Sequence, residues 1–225
     1  MNFGVVQFPG SCDDRDAVLA CERVEGATAR LLWHGNASLD GIDAVVVPGG
    51  FSYGDYLRVG AIARFSPVMG AVSRFAAEGG LVLGICNGFQ VLCEAGLLPG
   101  ALLPNVGLRF VCRQVGIEVV EAGTPFTRAC SDGEVLSIPV KHTTGRYYAP
   151  ERDLERMEAH GQIVLRYARD ANPNGSSGDI AGVVNEAGNV MGLMPHPEHA
   201  VDPLTGSEDG LKLFASMAGG VAARA

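Results

Sequence analysis

The stretch LVLGICNGFQVLCEAG, residues 81–96, decides the fold. Leu81 to Cys86 is apolar throughout, and a strand with no polar face belongs in the middle of a parallel sheet, covered by helices on both sides. NGFQVLCEAG (87–96) then reads as a helix that Gly96 ends. A chain that passes so abruptly from strand to helix needs small neighbours, and Gly84 and Gly88 stand two residues to either side of Cys86. That is the shape of a nucleophile elbow, a sharp turn that lifts one side chain out at the C-terminal edge of the sheet.

The alternation continues towards the N-terminus. Ser66-Pro67 pairs a capping residue with proline at the first helical position. Met69, Val72, Phe75 and Ala76 then share one helical face before Gly79-Gly80 stops the helix. IDAVVVPGG (42–50) is β-branched and apolar on both faces, ARLLWH (29–34) is a further strand candidate, and FGVVQF (3–8) is closed by Pro9-Gly10. Ser11, Asp13 and Asp14 offer caps for a helix running to about residue 25. Strands and helices in this order predict a parallel sheet with helices on both faces.

From about residue 107 the texture changes. RFVCRQVGIEVVE, GEVLSIPV, QIVLRYA, IAGVVNE and NVMGLMPHPE are strand-like, and NEAGN (185–189) has the composition of a hairpin turn. An antiparallel excursion is expected at the edge of the parallel sheet. A last helix is expected from about residue 207, with Leu211, Phe214 and Ala218 on its inner face. The fold class is therefore α/β, and with no repeat or linker residues 1–225 are expected to form a single domain.

Composition narrows the functional classes. A chain of 225 residues, 47% hydrophobic and 19% charged, can bury a substantial core. Its net charge of −8 and lack of basic runs leave little to hold a phosphate backbone or an anionic membrane surface, so neither nucleic acid nor membrane is an expected partner. No apolar stretch has the length of a membrane span, and MNFGVVQFPGSCDD lacks the pattern of a secretory signal, so the expected compartment is the cytoplasm. There the six cysteines stay reduced; with no CxxC pair or zinc-ligand spacing, five of them read as small buried hydrophobes.

Cys86 is the exception. At a helix N-terminus, the dipole and free backbone N–H groups favour a thiolate, and the N–H of Asn87 points where an oxyanion would form. PGGFSYGDYLRVG (48–60) follows a central strand but matches neither phosphate-binding glycine pattern, so it reads as a loop at the same sheet edge, with the N–H of Gly50 completing the oxyanion site. MPHPEH (194–199) supplies the base. Pro197 disfavours helix at His196, and in an extended segment His196 and Glu198 face the same side, so the carboxylate can hold the imidazole. A metal pair of His196 and His199 is the competing reading, but Pro197 blocks a helix and no third ligand is evident. Nucleophile, His, then acid is not the chain order of an α/β-hydrolase.

PGGFSYGDYLRVGAIAR, GICNGFQVLCEAGLLPGALLPN, NPNGS and GLMPHPEHAVDPLTGSEDG together resemble the glutamine amidotransferase subunits of phosphoribosylformylglycinamidine synthases, within the class I, or triad, amidotransferase family. The resemblance covers nearly the whole chain. It implies a flavodoxin-like α/β fold and hydrolysis of L-glutamine at Cys86, His196 and Glu198 through a thioester. It further implies ammonia delivered to a large synthetase subunit that uses ATP and Mg²⁺ in purine synthesis, often with a small accessory subunit. No cofactor or metal is expected in this chain. The family usually reads P-[IV]-A-H-G-E-G-R-Y-Y where residues 139–148 are PVKHTTGRYY. Lys141 replaces a small residue and Thr143-Thr144 replace Gly-Glu; no catalytic residue is expected in this loop, and His142 reads as structural. The alternatives are another class I amidotransferase, a stand-alone cysteine amidohydrolase, which would lack the His-Pro-Glu pair, or a silent stabilising subunit, which the intact triad disfavours.

Overall fold

The computed structural model describes residues 1–222; the last three residues of the expected 1–225 domain lie outside the described residues. In chain order the elements are β1 (Asn2–Gln7), α1 (Asp14–Glu22), β2 (Thr28–Trp33), β3 (Ala44–Val47), α2 (Pro67–Ala77), β4 (Leu81–Ile85) and α3 (Asn87–Glu94). They continue through β5 (Ala101–Pro104), β6 (Val111–Val119), β7 (Val135–His142), β8 (Thr144–Tyr148), α4 (Glu151–Ala159), β9 (Ile163–Tyr167), β10 (Ile180–Val184), β11 (Val190–Leu193) and α5 (Leu211–Ala222).

One nine-stranded sheet carries the fold, in the order β2-β1-β3-β4-β11-β10-β9-β6-β7. The run from β2 to β11 is parallel, and β10, β9, β6 and β7 extend it as antiparallel strands. Every residue of β3 and β4 is buried, as their uninterrupted apolar runs require. The expected α/β architecture with its antiparallel excursion is what the chain adopts. The turn at 185–189 joins β10 to β11, with Gly188 at φ +70° and the Asn185 N–H bonded to the Val190 carbonyl at 3.0 Å.

Several local expectations are corrected. α1 stops at Glu22, and Asp13, which precedes it, makes no side-chain cap. Ser66 does not cap α2 either; its hydroxyl meets the Tyr53 hydroxyl at 2.8 Å. α5 begins at Leu211 rather than near 207. Residues 139–148 are not a loop: β7 runs to His142, β8 resumes at Thr144, and β8 pairs with β5 in a separate two-stranded sheet. β5 and α4 escape a periodicity reading because they bury so little; Met157 is the buried residue of α4.

The position of α3 follows from glycines. A Cβ on Gly88 would overlap the Val47 carbonyl oxygen, and one on Gly84 would lie 2.8 Å from the Gly88 carbonyl carbon. Helix and strands therefore touch backbone to backbone, and no side chain can be added without moving one of them. Gly88→Ala is expected to destabilise the protein by about 1–3 kcal/mol. Gly70→Ala, at an exposed position inside α2 where a Cβ meets only the Arg74 guanidinium at 3.7 Å, should stabilise it by roughly 0.5–1 kcal/mol. Urea unfolding of the two variants beside the wild type checks both signs.

Candidate active site

The elbow is present at the end of β4. Cys86 sits at φ 49° and ψ −102°, a left-handed conformation rare for a residue with a side chain, and it leads directly into α3. Its N–H bonds to the Leu193 carbonyl of β11 at 2.8 Å, so the neighbouring strand holds the turn in place. The thiol is 6% exposed and lines a cavity with Gly50, Gln90, Lys141, Thr143 and His196. Sγ lies 3.9 Å from the Lys141 carbonyl oxygen.

His196 follows β11, the strand beside β4, and is 1% exposed. Its N–H bonds to the Pro139 carbonyl of β7 at 2.8 Å, and its Nδ1 lies 2.6 Å from Glu198 Oε1. The predicted pairing is present, but its backbone is different: residues 197–199 form a 3₁₀ turn rather than an extended segment. With Nδ1 held by Glu198, Nε2 is the nitrogen left for chemistry. Nε2 is buried without an aligned hydrogen-bond partner, yet Cys86 is close enough to influence its charge. Burial opposes a charged imidazole here, but the Glu198 carboxylate, then Cys86, raise His196 to about 10.

A second polar layer lies behind this pair. Asp13, 3% exposed, places Oδ1 2.5 Å from Lys141 Nζ and 3.2 Å from His199 Nε2, with Oδ2 3.6 Å from His196 Nδ1. Burial works against the Asp13 charge, but the His199 hydrogen bond, the His196 charge and Lys141 hold its carboxyl well below the usual carboxylate range. For Lys141 burial likewise opposes the charge, and Asp13 outweighs it, raising the ammonium above lysine's ordinary value. Asp13, His196, Glu198 and His199 bring their ligand atoms within 4.8 Å of one another, so the third and fourth donors of a metal group do exist in space. The Lys141 ammonium, bonded to Asp13 and 3.0 Å from His199 Nε2, is the cation at this cluster.

The oxyanion candidates part company. Gly50 lines the cavity beside Cys86; its φ of +149° and the backbone of residues 10–12 packed against its Cα exclude a side chain. Asn87 does not line the cavity. Its N–H is the first of α3, and its buried side chain ties the elbow to the glycine loop: Oδ1 accepts from the Ser52 N–H at 3.1 Å and Nδ2 donates to Gln90 Oε1 at 3.0 Å. Gly49 is small for a related reason, since a Cβ there would lie 2.7 Å from His196 Cε1 and would overlap the Asp13 carboxylate.

Asp13, Gln90 and Lys141 were not legible as site residues. In SCDDRD an aspartate before a helix looks like any cap, and Lys141 lies 128 residues away from its partner Asp13. The GICNGFQ run contained the signal for Gln90, four residues after Cys86 and hence on the same side of α3, where it donates to the Thr144 carbonyl. His142, expected to be structural, also lines the cavity; it meets Asn105 Oδ1 at 3.1 Å, and burial, then the His196 charge, lowers it to about 4.

The chain is similar to known proteins over nearly its whole length. The family model of the CobB/CobQ-like glutamine amidotransferase domain matches residues 2–214. Phosphoribosylformylglycinamidine synthase subunit PurQ of Salinibacter ruber is 60% identical over 222 residues, covering 96% of this chain and 94% of that one. The subunit of the same name from Rubrobacter xylanophilus is 61% identical over 220 residues, covering 98% and 99%. In the structure of PurLQS from Thermotoga maritima, a chain 44% identical superposes with a TM-score of 0.90 over 98% of each. With matches over nearly its full length, the chain belongs to the CobB/CobQ-like glutamine amidotransferase family, among the PurQ subunits of phosphoribosylformylglycinamidine synthase.

Proposed function

We propose that residues 1–225 act as one glutaminase domain in which Cys86, His196 and Glu198 release ammonia from L-glutamine for a synthetase subunit. The observation that carries this is the strained Cys86 elbow sharing a cavity with an imidazole whose far nitrogen is held by Glu198. In the first half-reaction the Cys86 thiolate attacks the amide carbon of glutamine. The oxyanion is received by the N–H groups of Gly50 and Asn87. His196 gives its Nε2 proton to the departing nitrogen, the C–N bond breaks, and ammonia and a thioester remain. In the second half-reaction neutral His196 takes a proton from water as the hydroxyl adds to the thioester carbon. The C–S bond then breaks to leave glutamate, the Cys86 thiolate and the imidazolium. Glu198 stabilises that imidazolium and fixes its orientation throughout.

Ammonia that meets water becomes ammonium and loses its nucleophilicity, so the site has to be covered while it turns over. Two surface residues support a covering partner. Leu57 and Leu108 are 88% and 80% exposed, and both sit at positive φ, 67° and 49°. A strained backbone that pushes a leucine into solvent has no benefit for the free chain, but suits one whose partner takes up the leucine. Phe51 and Phe110, both exposed, line the Cys86 cavity, and Leu57 and Leu108 each lie two residues from a lining residue, Asp55 and Phe110. We place the synthetase on this rim, with ATP and Mg²⁺ bound on that subunit and a small accessory subunit completing the assembly. Among the described residues no helix is long and apolar enough to cross a membrane; a cytoplasmic site of action is part of the proposal.

A glutamine-like chloroketone should modify Cys86 and leave Cys21, Cys93 and Cys130 untouched, because burial raises those three thiols, Cys130 to about 11. Mass spectrometry of the labelled protein checks this; a Cys86→Ala complex that still hydrolyses glutamine refutes the scheme. The alkaline limb of kcat/KM for glutamine is expected near pH 10, where His196 loses its proton. The Glu198 charge is the first of the influences that raise His196, ahead of Cys86, so Glu198→Gln should move that limb to lower pH in the same measurement. Leu57→Asp should weaken assembly with the synthetase by roughly tenfold or more, read by sedimentation, while the unfolding midpoint of the isolated chain changes little.

A further inference from the structure

Two carboxylates line the Cys86 cavity, Asp13 and Asp55, and only one is engaged. Asp13 is bonded to Lys141 and His199. Asp55 makes no side-chain hydrogen bond or ion pair among the described residues, and its Oδ1 is buried and unpartnered. The cations that could have answered it are committed elsewhere. Arg58, three residues on, grips Glu94 with two hydrogen bonds of 2.6 Å, and Lys141 is held by Asp13. The free charge that the cavity offers a visitor is therefore one carboxylate.

The turn that carries Asp55 is held in place from three sides. Tyr53, Gly54 and Asp55 all have positive φ, 54°, 67° and 55°. Tyr53 is anchored through its hydroxyl to His34 Nδ1 and Ser66 Oγ, both at 2.8 Å. The Ser52 N–H is fixed on Asn87 Oδ1 of the elbow, and the Tyr53 N–H on the Pro9 carbonyl at 2.7 Å. A non-glycine residue kept in the left-handed region by so many anchors is a mark of function, and the feature it presents is an unanswered carboxylate. Burial alone raises Asp55, since no cation offsets it. A ligand ammonium would supply that missing cation.

We propose that Asp55 recognises the α-ammonium of the substrate, so that the site reads glutamine as an amino acid and not merely as a primary amide. This rests on the glutamine reading given above. With the amide carbon at Cys86, the three N–H donors at the other end of the substrate meet Asp55. A hydrogen-bonded charge pair of this kind, lost when either partner is neutral, gives discrimination on the order of 10- to 100-fold.

The test uses the complex with its synthetase and two substrates: L-glutamine and its desamino analogue, glutaric acid monoamide. Asp55→Asn is expected to lower kcat/KM for glutamine on the order of 10- to 100-fold, mostly through KM, and to leave the desamino amide unchanged, so that the wild-type preference collapses. Equal losses on both substrates, or no loss on either, overturn the proposal. Should Asp55→Asn not assemble, Asp55→Glu takes its place: it keeps the charge, and is expected to retain a preference for glutamine that an equal loss on both substrates would contradict. A wild-type complex that hydrolyses no glutamine removes the reading of Cys86 itself, whereas an active wild type whose preference survives Asp55→Asn removes only the role of Asp55.

Discussion

Everything at the site depends on how closely α3 lies against β3 and β4. The contact is between backbones, Gly88 on the Val47 carbonyl and Gly84 on the Gly88 carbonyl carbon, so the helix can begin one residue after the strand ends. That leaves Cys86 as the hinge residue, in a left-handed conformation that would relax if the helix moved away. The same proximity puts the first N–H of α3 beside the glycine loop that follows β3. Asn87 then joins the two, with its buried amide bonded to Ser52 on one side and Gln90 on the other.

Around that hinge the charges are arranged in pairs. Glu198 holds His196, and Asp13 holds Lys141 and His199, so each buried carboxylate behind the imidazole has a cation against it. A buried charge is tolerated only when paired in this way, and removing one partner costs far more than the pair contributes. The layer gives the half-buried Lys141 ammonium its carboxylate partner. Its ammonium meets Asp13, while its carbonyl oxygen lies 3.9 Å from the Cys86 sulfur. Asp55, which has no such partner, stands out against this pattern.

The corrections share one cause. Asp13 and Ser66 were read as caps because an isolated polar residue before a helix has no better local use, yet each found a stronger partner across the sheet or the next loop. Glu198 meets His196 through a 3₁₀ turn because the chain must double back towards α5 immediately after Pro197, where the Gly210 N–H bonds to the Ala200 carbonyl at 2.8 Å. Residues 139–148 proved to be parts of two strands because β6 pairs with β7 as far as His142, and β5 pairs with Thr144–Tyr148.

By itself the sequence determined the parallel core, the elbow at Cys86 and the pairing of His196 with Glu198, because each is written in neighbouring residues: an apolar run, two glycines, a proline between histidine and glutamate. What only the tertiary structure decided is which distant residues complete the site. Asp13 and Lys141 are 128 residues apart, and Gly49 is small because both Asp13 and His196 rest on it. Pairings of that length depend on strand order, and strand order is a property of the whole sheet rather than of any window of sequence.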